Sequence, residues 1–189
     1  MHPIVDTAPA LAALSARLTT QSRIGLDTEF LRERTYRAQL CLVQVATAED
    51  ALCIDPLKLA SLVPLAQVLA AQGVLKIMHA SRQDLEVLLP VAGLTQPVFD
   101  TQIAASLTGL PAQVGYAHAV RHFLGQELDK SHTRTDWSRR PLSSQQIEYA
   151  LDDVRYLLPL KSLLEEQLQK LGRLEWLERS RSLPHTRKG

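Results

Sequence analysis

Arg23-Ile24-Gly25-Leu26-Asp27-Thr28-Glu29-Phe30 is the stretch from which the fold can be read. Ile24, Leu26 and Thr28 alternate with Gly25, Asp27 and Glu29, the period of two that marks a strand. Asp27 and Glu29 therefore project from one face, side by side, at the end of an apolar segment. Two carboxylates that close repel unless a cation lies between them. A hard divalent ion such as Mg²⁺ or Mn²⁺ suits them, because it takes oxygen ligands. Two solvated acids at a strand end would need no ion, and the stretch alone leaves both readings open.

Working outward, residues 7–20 read as an amphipathic helix, with Thr7 as its cap, Pro9 in its first turn and Leu11, Leu14 and Leu18 as its stripe. Residues 31–37 form a basic loop. Apolar runs at 40–46 and 51–55 predict two more strands, joined to the first as an antiparallel meander. A helix over 58–72, closed by Gly73, leads to a strand at 74–78, which the crossover rule makes parallel to a neighbour. A helix over 82–90, a strand at 97–99 and a helix from Asp100 to about residue 108 follow. Two helical stretches are expected to bracket Gly125-Gln126-Glu127, then a polar loop over 128–141, then a helical region over 144–171 broken at Pro159. The pattern predicts a single α/β domain over 1–171, with a mixed five-stranded sheet flanked by helices, and a basic, partly irregular tail over 172–189.

Composition narrows the function classes. The chain has 189 residues, 46% of them hydrophobic, which is enough for one full-sized core. A net charge of +1 gives no global field toward nucleic acid or membrane, so any basic surface is local. No apolar run reaches transmembrane length, and the first residues lack the pattern of a signal peptide. Cys41 and Cys53 sit in apolar runs without metal-finger spacing and are expected as buried thiols. These features lead us to expect a cytoplasmic protein without membrane partners.

Two further acids qualify for the Asp27–Glu29 site. Asp84 falls in the first turn of the helix after the 74–78 strand, at the sheet edge where open α/β sheets place ligands. Ser81 and Asp84 also fit a helix-capping pair, with no ligand. Ser143-Ser144-Gln145-Gln146 is a capping box that starts a helix carrying Tyr149 and Asp153, four apart on one face. A buried hydrogen bond between those two is the simpler alternative. Carboxylates converging at a sheet edge suit a two-ion site, which clamps both oxygens of an in-line phosphoryl displacement. A tyrosine there could orient the attacking water; with an ordinary pKa of about 10 it is a poor base.

Read in order, the chain resembles ribonuclease D, of the DEDDy group of 3′-5′ exonucleases. The matching residues are Leu26-Asp27-Thr28-Glu29-Phe30, His79-Ala80 with Asp84-Leu85-Glu86-Val87, and Asp100-Thr101-Gln102-Ile103. Leu128-Asp129-Lys130-Ser131, Arg134-Thr135-Asp136-Trp137, Arg140-Pro141-Leu142 and Tyr149-Ala150 with Asp153 complete the set. The resemblance runs to about Leu160. Ribonuclease D continues into helical nucleic-acid-binding domains, and this chain stops soon after the exonuclease part. The resemblance implies a ribonuclease H-like fold and two divalent cations, Mg²⁺ or Mn²⁺. It makes Asp27, Glu29, Asp84 and Asp153 the metal ligands and Tyr149 the residue that positions the attacking water. It implies release of nucleoside monophosphates from single-stranded or structured RNA 3′ ends, as in tRNA processing, with RNA favoured over DNA. A 3′-5′ exodeoxyribonuclease and a non-catalytic nucleic-acid-binding module are the rival expectations.

Candidate substrate contacts are the loop residues near that site. Arg32, Arg34, Tyr36 and Arg37 follow the first strand, and Lys130, Arg134, Trp137 and Arg140 lie in the long loop before the Tyr149 helix. Arginines can meet phosphates and aromatic rings can stack bases, although a solvated loop would look the same. His79 and Asp100 are expected in supporting roles, Asp100 first as a helix cap.

Overall fold

The computed structural model describes residues 4–32, 38–129 and 135–177. Its centre is a mixed six-stranded sheet: β1 (Ile4–Val5), β2 (Arg23–Leu31), β3 (Gln39–Ala46), β4 (Ala51–Ile54), β5 (Leu75–Met78) and β6 (Val98–Asp100), in the order β1-β4-β3-β2-β5-β6. The expected antiparallel meander is β2-β3-β4, and the crossover strand β5 lies parallel to β2 with β6 parallel beyond it. The five-strand expectation falls one short. β1 pairs with β4 through only two residues, too few to show a period of two.

Alternation along the strands decides which helices cover which face. Ile24, Leu26, Val43, Val45, Leu52 and Ile54 form one core layer under α1 (Ala8–Thr19), α2 (Val63–Ala70) and α3 (Arg82–Ala92). On the other face Ala46, Ile77 and Phe99 pack under α4 (Thr101–Leu107), α5 (Tyr116–Leu124), α6 (Ser144–Arg155) and α7 (Leu157–Lys170). Gly25 belongs to this second face. A Cβ there would stand 3.1 Å from the Val154 carbonyl oxygen and 3.3 Å from Leu158. The missing side chain thus lets the junction of α6 and α7 lie directly on β2.

Several boundaries differ from the sequence reading. α2 starts at Val63 rather than 58, and its cap is Ala71, not Gly73. Only one helix, α5, adjoins Gly125; residues 125–129 are irregular. The helical region over 144–171 breaks at Tyr156, and Pro159 sits in the first turn of α7, where a missing N–H costs nothing. The chain does not leave the core at residue 172, because Leu174 and Leu177 pack against the α4–α7 layer. Both cysteines are free and buried. Among the described residues no helix is long and apolar enough to cross a membrane.

Candidate active site

β2 outruns its neighbour. Its pairing with β5 covers Arg23, Ile24 and Gly25 only, so Asp27, Thr28 and Glu29 continue past the end of the shorter strand. The first turn of α3 fills that space. Thr28 points to the α3 side of the sheet, and its hydroxyl donates to the Asp84 carboxylate at 2.5 Å. Ser81 does not cap α3 through its side chain; its hydroxyl donates to Asp100 at 2.9 Å instead. Asp84 is therefore not half of a capping pair. It is a buried acid, 7% exposed, drawn against β2. From the opposite face α6 brings Asp153, with Tyr149 one turn before it. The expected capping box of Ser143 and Gln146 starts this helix.

Electrostatics shows that the four carboxylates share one environment. Burial, then Asp84, Asp153 and Glu29 in that order, push Asp27 well above the usual carboxylate range. Glu29 is pushed up to about 8 by burial and by Asp153 and Asp84. Burial raises Asp84 to about 6, against the Thr28 hydrogen bond, and raises Asp153 to about 7 with help from Asp152. None of the four joins an ion pair among the described residues. The group is thus an anionic cluster without a cation of its own.

That chemistry fits a hard divalent ion. The donors are all carboxylate oxygens, with no thiol or imidazole among them. As the side chains stand, no three His, Cys, Asp or Glu groups among the described residues are spaced to hold an ion. Burial first, then Asp153 and Glu29, push the Tyr149 phenol upward, which favours its neutral form. A neutral phenol is a weak donor to a metal and a good hydrogen-bonding partner for water.

The supporting residues are fixed by dense hydrogen bonding. Asp100 caps α4 at Gln102 N and also accepts from Ala80 N at 3.1 Å and Ser81 N at 2.8 Å. It therefore pins the turn that enters α3, where Ala80 adopts a positive φ of 54°. His79 has both ring nitrogens engaged, Nδ1 with the Thr101 hydroxyl and Nε2 with the Val114 carbonyl, each at 2.9 Å. Burial lowers its pKa. It ties β5 to the approach to α5. The Tyr116 hydroxyl in turn donates to the Asp152 carbonyl on α6 at 3.2 Å.

Two expected substrate contacts are placed elsewhere. Trp137 is 3% exposed, packed in a cluster with Cys41, Leu42, Ala150 and Leu151, its ring centroid 6.1 Å from that of Tyr149. No face of it is open to a base. Arg140 forms a two-pronged ion pair with buried Asp55, at 2.6 and 2.8 Å, and donates to the carbonyls of Cys41, Trp137 and Arg139. Its fork is committed to holding the loop on the sheet edge, not to a phosphate. Arg32 is exposed beside Glu86 of α3 at 3.8 Å, on the Asp84 side. Arg34, Tyr36, Arg37, Lys130 and Arg134 lie outside the described residues. Sequence reasoning missed the bond from Thr28 to Asp84 and the role of Asp55, whose only signal is an acid closing an apolar strand.

Comparison with known proteins identifies the family. Residues 3–169 match the family model described as 3′-5′ exonuclease. Ribonuclease D of Jannaschia sp. is 49% identical over 184 residues, covering 94% of this chain and 48% of the relative. The crystal structure of Escherichia coli RNase D, an exoribonuclease involved in structured RNA processing, superposes with a TM-score of 0.88 at 40% identity, covering 97% of this chain and 51% of that one. Brucella melitensis NrnC with bound Mg²⁺ gives a TM-score of 0.76 at 31% identity, over 86% of this chain and 81% of that one. The chain spans about half the length of the ribonuclease D relatives it matches. With its ribonuclease H-like sheet and its carboxylates gathered past the end of β5, the chain belongs to the 3′-5′ exonuclease family.

Proposed function

We propose that this chain is a divalent-metal-dependent 3′-5′ exoribonuclease that removes nucleoside monophosphates one at a time from RNA 3′ ends, including those of tRNA-like precursors. The observation that carries this reading is the gathering of Asp27, Glu29, Asp84 and Asp153 around one sheet end, each raised by burial, Asp27 and Glu29 also by others of the four, with no ion pair to any of them among the described residues. These four would hold two ions, Mg²⁺ or Mn²⁺. When bound, such a pair supplies charge that activates an attacking water and stabilises the departing 3′ oxygen. Tyr149 keeps its proton and orients the water through its hydroxyl. Thr28 holds Asp84 at the strand, and Asp100 fixes the turn that enters α3. We assign the exonuclease unit to residues 1–171 and the basic tail to 172–189, the tail's first residues packing back on the unit through Leu174 and Leu177. The Escherichia coli neighbour is an exoribonuclease, which favours RNA over DNA as the substrate, and bound Mg²⁺ in the Brucella neighbour favours that ion.

The test is a 5′-labelled single-stranded RNA incubated with the chain and Mg²⁺, with and without EDTA, beside a DNA of the same sequence. A ladder shortening from the 3′ end by single nucleotides, abolished by EDTA and slower on DNA, is the expected result. Faster shortening of the DNA would make it an exodeoxyribonuclease. Retarded but intact RNA would make it a binding module.

A further inference from the structure

β3 carries the sequence Gln39-Leu40-Cys41-Leu42-Val43-Gln44-Val45-Ala46, and everything after Gln39 is buried. Within that buried run Gln44 is the one amide side chain. It is 0% exposed, and neither its Nε2 nor its Oε1 has a hydrogen-bond partner. An unpaired amide in a core opposes folding, and a leucine or methionine there would not. Packing therefore gives no reason for a glutamine at this position.

Its place in the register gives one. Gln44 stands directly opposite Asp27 in the antiparallel pairing of β2 with β3. Residues so opposed share a face of the sheet, with Cβ atoms about 4.5–5.5 Å apart. That face is the one α6 covers, because Gly25, two residues before Asp27, lies against Val154 of α6 and against Ala46 of β3. On its other side Gln44 pairs with Cys53, a buried thiol and a weak acceptor. The Asp27 carboxylate, directly opposite, is a strong acceptor.

We propose that Gln44 is a positioning residue for the metal site: standing opposite Asp27 with its amide unpaired, it would donate its Nε2–H to an oxygen of the Asp27 carboxylate when that group takes a divalent cation, and so fix the carboxylate's orientation. The proposal rests on Asp27 being a metal ligand, as argued above. An amide suits the task better than the alternatives at this position. It adds a donor without a positive charge that would cancel the anionic site, and without a fifth carboxylate that would compete for the ion. Hydrogen-bond partners of metal ligands have this effect generally, by fixing the ligand's orientation.

The experiment is Gln44→Met in the whole chain, measured three ways: melting temperature in chelator, Mn²⁺ affinity by calorimetric titration well below that temperature, and kcat and KM on RNA. The expected result is a melting temperature equal to or above wild type, an Mn²⁺ affinity lowered by about 10–100-fold, and a reduced kcat at unchanged KM. An Mn²⁺ affinity and kcat within about twofold of wild type, below the range for a ligand's hydrogen-bond partner, would overturn the proposal. Gln44→Leu stands in if Gln44→Met does not fold; if neither folds, the amide belongs to the sheet alone and the proposal is likewise overturned. Asp27→Asn in the same titration separates the two readings. If Asp27→Asn leaves Mn²⁺ binding intact, the metal-site reading has failed. If Asp27→Asn abolishes binding and Gln44→Met leaves it unchanged, only the role of Gln44 has failed.

Discussion

At the scale of single residues, Tyr149 and Asp153 share a face of α6 and are assigned different chemistry. Tyr149→Phe keeps the ring against Trp137 and deletes only the hydroxyl. Its kcat should fall by about 10²–10⁴-fold, the range for a group that positions a proton transfer, with Mn²⁺ affinity unchanged. Asp153→Asn removes a charge from the cluster and should weaken Mn²⁺ binding along with the rate. Single-turnover kinetics and metal titration of both variants check this; equal loss of metal binding in the two would make Tyr149 part of the cage. The acids were legible in the sequence because strand and helix periods place them: two residues apart for Asp27 and Glu29, four for Tyr149 and Asp153. Thr28, Asp55 and Gln44 were not, because their roles depend on what lies across the sheet. Nothing local distinguishes a threonine that faces an acid from one that faces a leucine.

At the scale of elements, the site depends on how closely α6 rides on β2. Gly25 sets that distance, since a Cβ would meet the Val154 carbonyl, a backbone atom that cannot swing aside. Gly25→Ala should lift the helix by a few tenths of an ångström and destabilise the fold by about 1–3 kcal/mol, the usual cost of overpacking. Because Asp153 travels with the helix, Mn²⁺ affinity should fall as well. Urea unfolding and metal titration of this variant measure the two effects separately, and wild-type values in both would show that the contact does not set the site. The elements the sequence reading caught are those with long periods, such as α1 and β2. It missed β1, a two-residue strand, and misplaced the break at Pro159. A proline is compatible with the start of a helix as well as its end, and only tertiary packing decided between them.

At the scale of the molecule, the cluster ties stability to pH and to metal. Unfolded carboxyls titrate near 4, whereas here Asp84 is raised to about 6, Asp153 to about 7 and Glu29 to about 8. An acid raised in the folded state contributes stability that is present below its unfolded pKa and is lost as pH rises through its folded one. The chelated protein should therefore melt lower at pH 8 than at pH 5. A loss of only ~2 kcal/mol corresponds to about 4–8 °C for a chain of this size. His79, lowered by burial, has the opposite sign and offsets part of this fall, whereas Lys76, lowered to about 8 by burial, acts only above that window. Saturating Mg²⁺ should remove most of the fall. Thermal melts across this range, with EDTA and with Mg²⁺, test it; parallel curves would separate the acids from the metal. The claim beneath all of these is that Asp27, Glu29, Asp84 and Asp153 hold two ions. Anomalous diffraction from a crystal soaked in Mn²⁺ tests it most directly. The account predicts two peaks about 3.5–4 Å apart, both within bonding distance of these carboxylates; no peak there, with Mn²⁺ bound elsewhere on the chain, would contradict it.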